Sequence, residues 1–302
     1  MRLRRYLGVL CVAVAALVSG CGADEEARPD LAFVSTRDGD YAVFVMNADG
    51  GGQRRLTSRE DTGASSPARL FFQFEPAWSP DGSSIAFASR RSGKLDVYVM
   101  DADGTGTTRL TSGKGNDSHP SWSADGEQIA FERDNDIYVM NADGSSPRRI
   151  SDPTIEEREP AWSPDGAWIA YIRRTPGTAT RELWIMRPTG ADRRALTRQD
   201  ATVATPGWSP DSSRIAFATN SDGVYELFTI GIDGMGLRNV VETASDNFEP
   251  AWSPDGSRIA YYEDGAIFAV ELGGGEIERL TDRKNNDSSP AWNPAPPPVD
   301  EE

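Results

Sequence analysis

One short phrase is repeated along this chain, and its spacing governs what the chain can fold into. Trp-Ser-Pro-Asp-Gly, or a close variant, begins at Trp78, Trp122, Trp162, Trp208, Trp252 and Trp292, at intervals of 44, 40, 46, 44 and 40 residues. A period of roughly 40–45 residues in strand-like sequence corresponds to one four-stranded blade per repeat of a β-propeller. No window after residue 30 carries an i, i+3, i+4, i+7 apolar stripe, so helices are not expected. The segment from Glu75 to Thr111 displays one unit, with strands predicted at Ala77–Ser79, Ser84–Ser89, Asp96–Asp101 and Thr107–Leu110. Pro80 presets φ for a tight turn, Asp81 can cap it and Gly82 accepts positive φ. Asp103-Gly104 signals a hairpin. Each tryptophan offers apolar area for packing one blade on the next, so the motif is read as building blades and not as touching a ligand.

The blade count follows from the two ends. The first apolar runs, Leu31–Val34 and Ala42–Met46, lack a preceding Trp-Ser-Pro-Asp-Gly, while Pro290-Ala291-Trp292-Asn293-Pro294 has no blade after it. The C-terminal strand is therefore expected to join the N-terminal strands as the innermost strand of their blade. That gives an all-β, six-bladed propeller of four-stranded antiparallel blades over residues 31–293, closed without open sheet edges.

Residues 1–20 read differently. Arg2, Arg4 and Arg5 precede an apolar stretch from Leu7 to Val18, as in a secretory signal, and too short for a comfortable membrane span. Leu17-Val18-Ser19-Gly20-Cys21 then resembles a bacterial lipobox with Cys21 as the lipidated residue; the alternative is ordinary cleavage beside an incidental cysteine. Cys11 would leave with the signal, so Cys21 would be the lone mature cysteine, and acylation accounts for it. Residues 21–30 read as a flexible tether and residues 294–302 as a disordered Pro-rich acidic tail. The net charge of −16 becomes −19 once three arginines leave with the signal (−16 − 3). Such a chain repels nucleic acid and anionic headgroups and favours basic partners or cations.

The repeat runs Trp-Ser-Pro-Asp-Gly, Ile-Ala-Phe, Tyr-Val-Met-Asn-Ala-Asp-Gly, Arg-Leu-Thr, and over residues 31–293 it resembles the TolB-type β-propeller repeat. The resemblance implies a periplasmic setting in the Tol–Pal envelope system and a propeller on which partners dock. The family's namesake carries an α/β domain ahead of its propeller; here residues 22–29 alone link Cys21 to the first blade, so that domain is expected to be missing. Related propeller peptidases need a hydrolase domain, and no Gly-x-Ser-x-Gly elbow occurs. Related sugar-acid lyases use histidine-rich metal sites, and this chain has one histidine, His119.

Connections from the fourth strand of one blade to the first of the next cluster on one face, around the channel. The residue before the first proline of each blade is Glu75, His119, Glu159, Thr205, Glu249 or Ser289, with Asp117, Asp246 and Asp287 close by. These residues are expected to form an acidic channel mouth for a basic peptide. No cofactor is called for, although a divalent cation such as calcium would suit such a mouth; the alternative is a solvated acidic rim. His119, flanked by Ser118 and Asp117, is not expected to be catalytic. The Asn-Ala-Asp-Gly and Asp-Ala-Asp-Gly turns lack the further ligands of a calcium loop and read as hairpins. The long connection from Ser58 to Gln73 carries Phe71 and Phe72, expected as an aromatic partner contact; the alternative is that Phe72 and Phe74 fold back onto the second blade. The reading is a monomeric, lipid-anchored envelope protein in the periplasm or at the cell surface, binding a protein or peptide and not an enzyme. The alternative is a carbohydrate- or cation-binding propeller, including one acting on cell-wall glycan.

Overall fold

The computed structural model describes residues 29–57, 73–198, 202–221 and 223–294. The signal, Cys21, the tether up to residue 28, Phe71, Phe72 and the tail from 295 lie outside the described residues. Six four-stranded antiparallel sheets form the six-bladed propeller that the repeat predicts. Their innermost strands are Ser288–Trp292 for blade one, then Gln73–Trp78, Asp117–Trp122, Glu157–Trp162, Val203–Trp208 and Asn247–Trp252 for blades two to six. Blade one takes its other three strands, Leu31–Ser35, Ala42–Met46 and Arg54–Arg55, from the start of the chain. The closure pairs Leu31 with Trp292, Ala32 with Ala291 and Val34 with Ser288. Asn293 extends it, its backbone N–H donating to Asp30 O at 2.8 Å and its side chain to Pro29 O at 3.1 Å.

The second and third strands of blade two, Ser84–Ser89 and Asp96–Asp101, fall where the sequence places them. The innermost strand begins four residues earlier than predicted. Pairing resumes beyond Glu75-Pro76, with Phe74 opposite Ala88 and Gln73 opposite Ser89, because a bulge between Phe74 and Ala77 absorbs the proline. Proline cannot donate to a ladder, and a bulge on an inner edge strand is one of the few places it fits.

Each repeated word has a mechanical role. In Trp-Ser-Pro-Asp-Gly, the Ser79 hydroxyl donates to Asp81 at 2.6 Å, and Asp81 accepts the Ser83 N–H at 3.0 Å. Those bonds hold Asp81 below its ordinary carboxylate pKa, the serine hydroxyl contributing most. In Arg-Leu-Thr, the threonine hydroxyl ends the ladder: Thr57 accepts the Val43 N–H at 3.0 Å, Thr111 the Val97 N–H and Thr281 the Ile267 N–H at 2.9 Å. The arginine of that phrase lies on the short outer strand, where charge protects an exposed edge from pairing with another chain.

The apolar core is divided among the seams. Every buried cluster joins two neighbouring blades: Phe33, Phe44 and Met46 of blade one pack on Ile267 and Leu280 of blade six, and Phe217 and Ile230 of blade five on Leu183 and Ile185 of blade four. Because neighbours are all that each blade touches, the ring is stable only when complete. Deleting residues 289–302 should therefore lower the unfolding midpoint by about 10 °C or more, given that each ~1 kcal/mol lost shifts Tm by roughly 2–4 °C in a domain of this size. Calorimetry of the truncated chain checks this, and an unchanged midpoint would remove the closure as the source of ring stability.

Candidate functional site

Innermost strands all run in one sense, so the channel has two unlike ends. The Trp-Ser-Pro-Asp-Gly turns gather at one end, where Trp78, Trp122, Trp162, Trp208, Trp252 and Trp292 line a cavity of about 410 Å³. Indole N–H groups stitch blades there: Trp78 donates to Ala291 O at 3.1 Å, Trp122 to Ala77 O at 3.1 Å and Trp208 to Ala161 O at 2.8 Å. The motif does pack blades, as expected, and it also forms the wall of this end of the channel.

Glu75, His119, Glu159, Thr205, Glu249 and Ser289 line the opposite mouth with the prolines that follow them, around a recess of about 190 Å³. They sit on the bulges of the innermost strands and not on loops. All six are left-handed, with φ between 49° and 58°. That conformation is uncommon outside glycine and a real outlier for β-branched Thr205. What holds it is a relay of hydrogen bonds from blade to blade. Glu75 accepts the His119 backbone N–H at 2.6 Å, Glu159 the Thr205 N–H at 2.6 Å, Thr205 Oγ1 the Glu249 N–H at 3.0 Å, and Glu249 the Ser289 N–H at 2.6 Å.

The relay breaks at His119, whose ring cannot reach forward in the same way. Glu132, from the second strand of blade three, accepts the Glu159 N–H instead at 3.2 Å. The imidazole lies between carboxylates, Nε2 at 3.0 Å from Glu75 and Nδ1 at 3.3 Å from Glu132. Burial alone would lower the His119 pKa, but the Glu75 charge, the Glu132 hydrogen bond and Glu159 push it up to about 10. Burial pushes the Glu75 and Glu249 carboxyls up, reinforced by neighbouring acids. Glu132 feels the same burial, yet its bond to His119 keeps it below the usual range. The mouth thus concentrates negative charge in a poorly solvated ring with one permanent internal cation, an arrangement that an incoming cation would relieve.

The profile of the TolB beta propeller domain matches residues 67–202 and 159–296. The chain belongs to the TolB beta propeller domain family. Among its relatives, an uncharacterized protein of Agrobacterium fabrum is 31% identical over 115 residues, 37% of this chain and 36% of that protein. The Tol-Pal system protein TolB of Geobacter sulfurreducens is 33% identical over 87 residues, 29% of this chain and 18% of that protein. The chain therefore spans about a third or less of the length of these curated relatives. The crystal structure of TolB from Acinetobacter baumannii superposes with a TM-score of 0.74 at 22% identity, covering 88% of this chain and 66% of that one, a likeness of fold.

Three acids expected at the mouth of this TolB-type propeller do other work. Asp117 is fully buried and held by Arg133 at 2.6 and 2.8 Å, and Asp287 is fully buried and paired with Arg37 at 3.0 Å. Asp117 begins its innermost strand and Asp287 directly precedes one, and each has its cation close, as a buried carboxylate requires. Asp246 is exposed on the connection into blade six and accepts the Tyr225 N–H at 2.8 Å. Phe74 packs against Tyr41 of blade one, ring centroids 5.4 Å apart. Among the described residues no three His, Cys, Asp or Glu side chains are arranged to hold a metal ion. Glu132 escaped the sequence reading, although a signal existed: it pairs with Ser118 at a position where the sibling strands carry Val34, Ala88, Ile172, Ala218 and Tyr262.

The His119 pair sets a pH dependence. Its folded pKa exceeds the unfolded value of 6.5, so its contribution to stability is complete below about 6.5 and is lost as pH rises through about 10. The unfolding midpoint should fall between pH 7 and 10, and His119→Gln should flatten that part of the profile. Identical slopes in both chains would show that His119 is not held as a cation.

Proposed function

We propose that this chain is a cell-envelope scaffold whose channel mouth receives a basic segment of a partner protein or peptide. The observation that carries the reading is the strained ring of Glu75, His119, Glu159, Thr205, Glu249 and Ser289. Six left-handed residues are held by neighbours so that carboxylates converge on one axis, and strain of this kind gathers at ligand sites. A net charge of −16 steers basic partners toward the molecule. Kinship with Tol-Pal system TolB proteins supports an envelope setting and a protein partner.

The same reading includes lipidation of Cys21 and a monomeric ring held at a membrane. Its support is the signal-like run before Cys21 and the direction in which the chain leaves the ring. Innermost strands run from the acidic mouth to the tryptophan end, so Pro294 follows Trp292 at that end. Pro29, which accepts a bond from Asn293, lies beside it. A tether from Cys21 would then hold the tryptophan end toward the bilayer and turn the acidic mouth outward. Residues 22–29 would reach at most about 29 Å when extended. Replacing Cys21 with serine should abolish palmitate incorporation and release the protein from membranes. Membrane retention of Cys21→Ser would end the anchor reading and leave the mouth reading untouched.

The mouth is tested by crosslinked affinity capture from intact envelopes. Glu75, Glu159 and Glu249 are replaced together by glutamine, which removes charge while keeping an oxygen to accept the neighbouring backbone N–H. Captured partner should fall about tenfold or more, equivalent to ~1.4 kcal/mol, with thermal unfolding shifted by only a few degrees. Capture undiminished by the triple change would place docking elsewhere on the ring.

A further inference from the structure

The blades repeat a cation as well as their strands. On the side of each sheet facing the preceding blade, the second and third strands oppose two aromatic rings: Phe33 and Phe44, Phe87 and Tyr98, Phe131 and Tyr138, Tyr171 and Trp184, Phe217 and Phe228, Tyr261 and Phe268. In five blades an arginine guanidinium covers the pair. Arg37 lies 4.7 Å from Phe44, Arg91 4.8 Å from Tyr98, Arg133 5.1 Å from Tyr138, Arg173 4.4 Å from Trp184 and Arg283 5.4 Å from Phe268. These arginines arrive by different routes. Arg37 and Arg91 stand two residues beyond the second strand, Arg133 and Arg173 lie within it, and Arg283 comes from a 3₁₀ turn at Arg283–Asn285. Convergence from three origins marks the spot itself as a guanidinium cradle.

Blade five keeps the cradle and lacks the cation. Among the described residues no guanidinium, Arg198 included, lies over Phe217 or Phe228. Ser221 stands where Arg37 and Arg91 stand in blades one and two. Thr219 occupies the place of Ser35 and Ser89, whose hydroxyls accept arginine Nε–H at 2.8 and 3.2 Å. A cleft of about 310 Å³ opens there, lined by Arg198, Val203, Phe217, Thr219, Ser221 and Phe228. Thr219 is 7% exposed, and its hydroxyl makes no hydrogen bond among the described residues. The seam is wider too: a Cβ at Gly144 or Gly190 would sit 2.4 or 2.7 Å from a carbonyl of the preceding blade, but at Gly234 the distance is 3.7 Å.

A second cation is missing beside the first. Glu226 is the register partner of Thr219 and shares a sheet face with Phe228. Its counterparts Asp96 and Asp136 are bound by Arg109 at 2.6 Å and Arg149 at 2.5 Å. Asn239 replaces that arginine and offers one amide N–H at 2.9 Å. Glu226 is 7% exposed and has no ion pair among the described residues.

We propose that the blade-five cleft binds the guanidinium of an arginine side chain supplied by a partner. The two phenylalanine faces and the Thr219 hydroxyl take the places that Phe33, Phe44 and Ser35 take around Arg37. The Glu226 carboxylate supplies the countercharge, since Val203 stands where Asp117 and Glu157 pair with the cradle arginines of blades three and four. An acidic surface brings such a partner close. The cleft lies on the outer seam, apart from the channel mouth, and stands whether or not the mouth binds a partner.

The test uses agmatine, a single alkylguanidinium, titrated into the full chain while aromatic NMR signals of Phe217 and Phe228 are followed. Saturable shifts at millimolar agmatine are expected, a Kd of about 1 mM corresponding to ~4 kcal/mol. Ser221→Arg should fill the cradle from within, abolish the shifts and leave Tm equal or higher. Glu226→Gln should weaken agmatine about tenfold. Should Ser221→Arg fail to fold, the glutamine variant alone decides. Absence of saturable shifts in the parent chain, or undiminished binding in either folded variant, overturns the proposal.

Discussion

The pairing of Ser288–Trp292 with Leu31–Ser35 is the contact on which everything else in this molecule rests. No blade owns a core, because each apolar face is buried by its neighbour. An open string of five and three-quarter blades would expose a seam and two sheet edges. Closing the ring brings six inner strands to one axis. Their inner edges have no strand beyond them, which is why each can carry a proline without losing a ladder partner. The prolines demand bulges, the bulges demand left-handed residues, and those residues bring six side chains to one mouth.

At that mouth the acids have two duties. One oxygen of Glu75, Glu159 or Glu249 takes a backbone N–H from the next blade, so each carboxylate is first a mechanical link. Its charge remains and faces a poorly solvated axis. The basic residues are placed elsewhere, on short outer strands and in the seams, where Arg37, Arg133 and their counterparts lie over aromatic pairs and neutralise buried acids. The three axial glutamates thereby stand apart from the arginines, which lie on outer strands and in the seams. His119 is the exception at the centre, and Glu132 is the residue that compensates for it.

A repeat protein carries its own controls. Departures from the pattern stand out as local changes of function or mechanics: Glu132 where siblings are apolar or tyrosine, Ser221 where blades one and two place arginine, and Asn239 where blades one, two, three and six do. These are visible only when one position is compared across all six blades. Asp117 and Asp287 lie two positions before Glu-Pro-type dipeptides, which by sequence alone places them at the mouth. Their buried arginine partners come from 16 and 250 residues away, and only pairing reveals them. Sequence alone places the start of each innermost strand after the proline, since the rule that proline ends strands is sound for central strands but not for a bulged inner edge.

Local chemistry in the sequence determined the fold class, the number of blades, the turns and the manner of closure. Turn residues and alternating apolar runs act over a few positions, and a period near 44 residues repeats them until the ring is full. The tertiary structure alone decided which side chains share the mouth and which disappear into seams. Contacts such as Glu75 with His119, or Glu249 with Ser289, join residues 44 and 40 positions apart and exist only between adjacent blades. Whether a carboxylate is a free charge, a backbone clamp or half of a buried pair depends on desolvation and on a partner's position. Both are properties of the closed ring.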